Sequence, residues 1–180
     1  MSSNYKIETF TGGVLNFSAP PTSTVTIEDV AHGLSNVCRF GGQCIRFYSV
    51  AEHSVRVADK MSRGIELIGL LHDASEAFMG DIPRPVKKML TTYDAIEKQV
   101  QAEMYQRFMG FQPDKSCQLL LDIVDNRLLV TEASQLLHNY GSEVWEKFRD
   151  IEPYDINLKY PWLPLDAEAE FLEMYRRLKP

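Results

Sequence analysis

Hydrophobic and polar positions alternate only at the start of the chain. Ile7-Glu8-Thr9-Phe10 and Val14-Leu15-Asn16-Phe17 read as short strands around a turn at Thr11-Gly12-Gly13, which predicts a small hairpin. Ala19-Pro20-Pro21-Thr22-Ser23 then breaks regular structure, so residues 1–25 form an extended entry segment. From Thr26 onward the spacing is helical. Thr26 can cap a helix with Asp29 as its reciprocal acid, with Val30 and Leu34 on one face, and Arg39-Phe40-Gly41-Gly42 ends it. Ser49-Val50-Ala51-Glu52 is a capping box that opens a second helix near Val50, running to about Ser62.

Gly64 separates that helix from the apolar run Ile65–Leu71, which leads into His72-Asp73-Ala74-Ser75-Glu76 on one predicted helix. Gly80-Asp81-Ile82-Pro83-Arg84-Pro85 forms a rigid loop, and Pro83 or Pro85 suits the first turn of a short helix. Tyr93, Ile96, Val100 and Met104 are spaced for an amphipathic helix. Asp114 caps a long helix from Cys117 to about His138, with apolar positions Leu119, Leu120, Ile123, Val124, Leu128 and Leu129. Pro153, Pro161 and Pro164 mark an irregular connection, and Asp166 is expected to cap a final helix carrying Phe171, Leu172, Tyr175 and Leu178. The pattern predicts an all-α fold with a small β-hairpin extension at the N-terminus.

Composition narrows this picture modestly. The chain has 180 residues, of which 44% are hydrophobic and 24% charged, which is ordinary globular composition and suits one domain over residues 1–180. A formal net charge of -6 argues against a nucleic-acid polymer or a membrane surface as partner, yet leaves room for a local basic pocket. Cys38, Cys44 and Cys117 are too few and too irregularly spaced for a disulfide framework, so buried free thiols in a reducing compartment are expected. No leader pattern is visible and no apolar run nears the ~20 residues of a membrane span, so a cytoplasmic location is expected.

The chemistry begins where the apolar run ends. Charge placed there costs several kcal/mol unless it is paired or bound to a metal. Four residues on predicted helices with apolar neighbours form a candidate metal set: His53, His72, Asp73 and Asp125. Two imidazoles and two carboxylates suit one divalent first-row transition metal with open positions, without any thiolate. Taken singly, each has a plainer reading. A lone buried histidine is more often a hydrogen-bonded core residue, and a buried aspartate can cap a turn or pair with Arg127 or Lys87. Neighbours on a helix diverge by ~100°, so His72 and Asp73 converge only on an ion beside the helix, and further ligands must come from other helices.

These residues, in this order, resemble the signature of the HD-domain phosphohydrolase superfamily. The segments His72-Asp73-Ala74-Ser75-Glu76, Gly80-Asp81-Ile82-Pro83 and Pro85-Val86-Lys87 are similar to the active-site run of bacterial 5′-deoxynucleotidases. Asp29-Val30-Ala31-His32, Arg39-Phe40-Gly41-Gly42 and Tyr48-Ser49-Val50-Ala51-Glu52-His53 are similar to compact phage and bacterial members, including a dATP triphosphohydrolase. The resemblance covers residues 26–135. It implies a helical bundle around a central metal held by His53, His72, Asp73 and Asp125, with Glu76 as catalytic acid. It also implies Asp81 on a sugar hydroxyl, Arg39 and Lys87 on phosphate, and Phe40 stacking where a tryptophan is usual.

The implied reaction is hydrolysis of a deoxynucleotide 5′-phosphate ester. The expected substrate is dATP, giving deoxyadenosine and triphosphate, with deoxynucleoside monophosphates as the alternative and a nucleotide-binding sensor as the non-enzyme alternative. Homo-oligomers are expected by resemblance. Helix capping ahead of Pro83 is the plainer role for Asp81, solvated charge the plainer role for Arg84 and Lys88, and His32 is expected to be structural.

Overall fold

The computed structural model describes residues 5–179. Strands β1 (Lys6–Glu8) and β2 (Val14–Asn16) pair antiparallel, with Ile7 opposite Leu15, and Leu15 is buried in the core. The expected hairpin is therefore present, and the other regular elements among the described residues are helices.

Helix α1 (Ile27–Asn36) starts at the Thr26/Asp29 capping box. Asp29 does more than cap. Its carboxylate accepts from Thr26 N at 2.8 Å and from Thr11 N at 2.7 Å, so one buried aspartate ties the hairpin turn to the first helix. Burial would raise its pKa, but the Thr26 and Thr11 bonds outweigh it and hold the carboxyl below its usual range.

Helix α2 (Val50–Lys60) runs through the centre and packs against α1, α3, α7 and α8. Ser49 caps it by accepting from Glu52 N at 3.0 Å. The other half of the expected box is absent. Glu52 instead accepts from Arg56 at 2.6 Å and from Trp162 N at 2.7 Å, which anchors the segment leading into α8.

Helix α3 (Glu66–Leu71) ends one residue before His72. The single helix expected through Glu76 is interrupted. Ala74 N donates to Leu71 O at 3.1 Å, Glu76 N to Asp73 O at 2.9 Å and Phe78 N to Ser75 O at 3.1 Å, all with three-residue spacing. Tighter 3₁₀ winding aligns residues three apart, so Glu76 sits over Asp73 rather than over His72. The short helices α4 (Glu76–Met79) and α5 (Arg84–Lys87) follow, with Pro83 capping α5 and Pro85 in its first turn.

Helix α6 (Thr91–Met109) turns Val100 and Met104 inward, and α7 (Lys115–Leu136) starts at the expected Asp114 cap. Leu121 and Leu128 of α7 are buried, whereas Leu119, Leu120 and Ile123 on its other face are exposed. Helix α8 (Pro164–Leu178) is capped by the Leu163 backbone with Pro164 in its first turn, and Asp166 lies inside that turn rather than at the cap. Proline fits there because the first helical N–H has no acceptor. Phe171 and Ala167 of α8 are buried in the main core with Val30, Leu34, Leu70 and Leu71. His32 stacks on Phe10 at 3.7 Å and its Nδ1 lies 3.0 Å from Glu168, a structural role as expected. The three cysteines are free thiols, half-buried rather than buried. Among the described residues, no helix is long and apolar enough to cross a membrane.

Candidate metal centre

Close packing of α2 on α3 creates the site. A Cβ on Gly69 would lie 2.7 Å from Met61 Cγ and 3.1 Å from the Ala58 backbone, so only glycine lets the two helices approach this far. His53 of α2 and His72 at the end of α3 then face each other, with Nε2 atoms 3.3 Å apart. Asp73 Oδ2 lies 3.1 Å from His72 Nε2 and 3.8 Å from His53 Nε2. Asp125 Oδ1 of α7 lies 3.2 Å from His53 Nε2. Ligand atoms of His53, His72 and Asp73 all fall within 4.8 Å of one another, and Asp125 joins through His53.

The outer nitrogens of both rings are committed. His72 Nδ1 lies 2.7 Å from the Gly69 carbonyl, which can only accept, so Nδ1 carries the proton. His53 Nδ1 lies 2.7 Å from Glu132 Oε1. In the neutral rings this leaves both Nε2 lone pairs free, with Asp73 Oδ2 near both and Asp125 Oδ1 beside that of His53. Nitrogen donors ~2.1 Å from a zinc-like ion at a tetrahedral angle stand ~3.3–3.4 Å apart, which matches. The donor set therefore fits a divalent transition metal, and the outer bonds are of the kind that fix ligand tautomers.

Electrostatics point the same way. Burial pulls the His72 pKa down, but Asp73 and Asp125 outweigh it and push it up to about 9. Burial opposes ionisation of Asp73, yet His72, His53 and Arg39 hold its carboxyl well below the usual range. Asp125 is held low against burial by the His53 bond and by the charges of His53 and His72. Without a bound ion the charged imidazoles supply the positive charge between these carboxylates, and a cation bound there would take their place.

The other expected residues fall around this cluster. Glu76 is buried, with Oε1 accepting from Lys87 Nζ at 2.9 Å and Oε2 without a hydrogen-bond partner among the described residues. Burial, then the charges of Asp73 and Asp81, raise its pKa well above the carboxylate range despite Lys87. Lys87 also donates to Glu97 at 2.7 Å, so it is held between two carboxylates in this structure. Asp81 accepts from Phe40 N at 3.2 Å. Phe40 is the one non-glycine at positive φ (56°) among the described residues, a strained conformation that aims its ring toward Trp145 at 6.3 Å. Arg39 is buried, with Nε donating to Glu132 at 3.0 Å and Nη1 3.7 Å from Asp73. A cleft of about 280 Å³ opens beside the cluster, lined by His72, Asp73, Glu76, Lys87, Gln101 and Tyr105 among others.

Four residues in this network did not stand out in the sequence or were read otherwise. Glu132 is fully buried and gathers Arg39, His53 and Tyr48, the last donating at 2.9 Å. Its position two helical turns after Asp125 on α7 was the available signal. Glu97 and Gln101 of α6 carry no local signal. Arg84, expected as solvated charge, donates to Asp125 Oδ2 at 2.6 Å and to Asn126 at 2.9 Å, leaving Oδ1 of Asp125 turned to the cluster.

No family model matches the chain. It is 29% identical over 119 residues to a 5′-deoxynucleotidase of Enterobacter sp. (strain 638), covering 51% of this chain and 58% of that protein. It is 37% identical over 107 residues to an uncharacterized protein of Rhodobacter capsulatus, covering 54% and 55% of the two chains. With the uncharacterized protein YfdR of Escherichia coli (strain K12) it shares 31% identity over 172 residues, 96% of this chain and 94% of YfdR. At that identity and coverage the chain belongs to the same family as YfdR.

Proposed function

We propose that this protein is a metal-dependent phosphohydrolase that cleaves the 5′-phosphate ester of deoxynucleotides. The observation that carries the reading is the convergence of His53, His72 and Asp73 within 4.8 Å, with Asp125 alongside and a buried Glu76 of raised pKa next to them. The 5′-deoxynucleotidase among the relatives supports a phosphate ester as substrate. A sensor that only binds nucleotide has no use for a raised-pKa carboxyl at the mouth of a ligand set.

A divalent ion held by the four side chains would act as a Lewis acid on the phosphoryl group and supply an acidified water. Glu76, whose burial favours the protonated carboxyl, donates a proton to the departing 5′-oxygen. Lys87 holds the other Glu76 oxygen and orients the acid. Arg39, fixed by Glu132, adds positive charge beside Asp73, where negative charge builds on the phosphoryl oxygens. Asp81 receives a sugar hydroxyl on the oxygen that Phe40 N does not occupy, and the Phe40 ring borders the sugar and base. These cationic groups explain how an acidic chain takes an anionic substrate.

The name 5′-deoxynucleotidase carried by one relative supports the deoxynucleotidase alternative, and nothing in the relatives singles out dATP. Self-association remains part of the reading by family resemblance alone. The test is incubation of the purified protein with each deoxynucleoside mono- and triphosphate and with Mn²⁺, Co²⁺ or Zn²⁺, detecting phosphate and triphosphate separately. Phosphate from monophosphates supports the reading. Triphosphate from dATP moves the substrate but keeps the chemistry, and no release from any deoxynucleotide with any metal overturns it.

A further inference from the structure

The His72-Asp73 turn is the least regular backbone in the metal cluster, since 3₁₀ hydrogen bonds have poorer geometry than α-helical ones. It nevertheless has to present two ligands. A side chain from another helix spans it. Gln101 Nε2 of α6 donates to Leu71 O at 2.7 Å, and Gln101 Oε1 accepts from Ser75 N at 3.0 Å. Leu71 is the last residue before His72, and Ser75 is the second after Asp73. One amide thus holds both ends of the five-residue Leu71–Ser75 segment. Both atoms it binds belong to the backbone, and Ser75 is buried.

An amide is suited to this in a way few side chains are. It offers a donor and an acceptor in one plane. A carboxylate would face the Leu71 carbonyl with no hydrogen to give, and an apolar side chain would leave Ser75 N unpaired and Leu71 O with its bond from Ala74 N alone. Leu71, Ala74 and Ser75 are buried, so their backbone groups have no ready solvent substitute.

We propose that Gln101 is a positioning residue for the metal centre, clamping the Leu71–Ser75 backbone so that His72 Nε2 and Asp73 Oδ2 hold their relative placement. The proposal rests on the metal-site reading above. Groups one step out from metal ligands typically change affinity about 10- to 100-fold when removed. Among the described residues Gln101 makes no hydrogen bond to a ligand side chain, so its effect runs through the backbone of the turn.

The experiment titrates Co²⁺ into the metal-free wild-type protein, Gln101→Met and Gln101→Glu at pH 7.5. It follows the visible absorption of bound Co²⁺ together with Tm in the absence of metal. Gln101→Met removes both bonds at similar volume, and Gln101→Glu keeps the acceptor for Ser75 N while losing the donor to Leu71 O. The expected result is Co²⁺ affinity lowered about 10- to 100-fold with an altered absorption band in Gln101→Met. Gln101→Glu should also lose affinity, although its added negative charge alone would raise it. If Gln101→Met fails to fold, Gln101→Glu decides by the same reading. Wild-type affinity and band in the folded variants, whatever their Tm, would overturn the clamp. Wild-type protein that binds no Co²⁺ would overturn the metal centre itself, a result distinct from loss of the clamp.

Discussion

His53 and His72 point their Nε2 atoms at each other across 3.3 Å, while their Nδ1 atoms are held by Glu132 and by the Gly69 carbonyl. Two imidazoles arranged this way in a protein interior repel unless something positive lies between the nitrogens. Asp73 joins the two rings within 4.8 Å, and Asp125 Oδ1 reaches His53 Nε2 at 3.2 Å. The pair is best understood as half of a ligand shell, and its tolerances are set by groups one step further out.

Glu132 is the first such group. It is fully buried and balances Arg39 while orienting His53. Glu132→Gln leaves the Arg39 guanidinium buried without its closest countercharge, and breaking a buried pair costs about 3–5 kcal/mol. Chemical denaturation should show a loss of that size, and equilibrium dialysis should show metal affinity lowered about 10- to 100-fold. Tyr48→Phe, which removes only one neutral donor, should cost about 1 kcal/mol.

Gly69 controls the spacing of α2 and α3. In Gly69→Ala the new Cβ meets Met61 Cγ, which can move, and the Ala58 backbone at 3.1 Å, which cannot move freely. The expected loss is about 1–3 kcal/mol, as for overpacked cores. His72 follows Gly69 through its Nδ1 bond, so metal affinity should fall along with Tm. Thermal melts with and without added metal check this, the metal-induced rise in Tm being smaller than in wild type.

Asp29 predicts a pH dependence that is independent of the metal site. Its folded pKa lies below the unfolded value of ~3.9. Its contribution is therefore fully present above about pH 4 and is lost as pH falls through the lower, folded pKa. Asp29→Asn cannot accept at both oxygens, so it should cost about 1–3 kcal/mol at neutral pH. Urea unfolding between about pH 6 and pH 2 should show a smaller acid loss in the variant than in wild type.

Much of the scaffold is legible in local sequence because its determinants are local. The Thr26/Asp29 box, the Ser49 and Asp114 caps and the hairpin depend on residues a few positions apart, and all are found. His53, His72, Asp73 and Asp125 could be read as a set because each interrupts an apolar helical pattern. What the pattern does not reveal is set at long range. Glu132 meets Arg39 across 93 positions, and Gln101 reaches Leu71 across 30. Arg84 looks like surface charge until α5 is placed against α7. The break at His72 is also invisible to periodicity, since a six-residue helix cannot show whether the next turn winds as α or 3₁₀. That break moves Glu76 into line with Asp73, whose charge adds to burial in raising the Glu76 pKa.

Glu76 is expected to serve proton transfer and not metal retention. Glu76→Gln keeps the shape of the side chain but has no acidic proton. Deoxynucleotide turnover should fall about 10²- to 10⁴-fold, with the pH profile of the remaining activity flattened on its alkaline side, where loss of that proton limits wild type. Steady-state rates across pH check both.

The most direct measurement is bound metal per chain, by mass spectrometry of the elements after exhaustive desalting, in wild type, Asp73→Ala and Glu76→Gln. A metal shell built on His53, His72, Asp73 and Asp125, with Glu76 outside it, predicts equal loading in wild type and Glu76→Gln and near-complete loss in Asp73→Ala. Full loading of Asp73→Ala, or loss of metal on changing Glu76 alone, would contradict it.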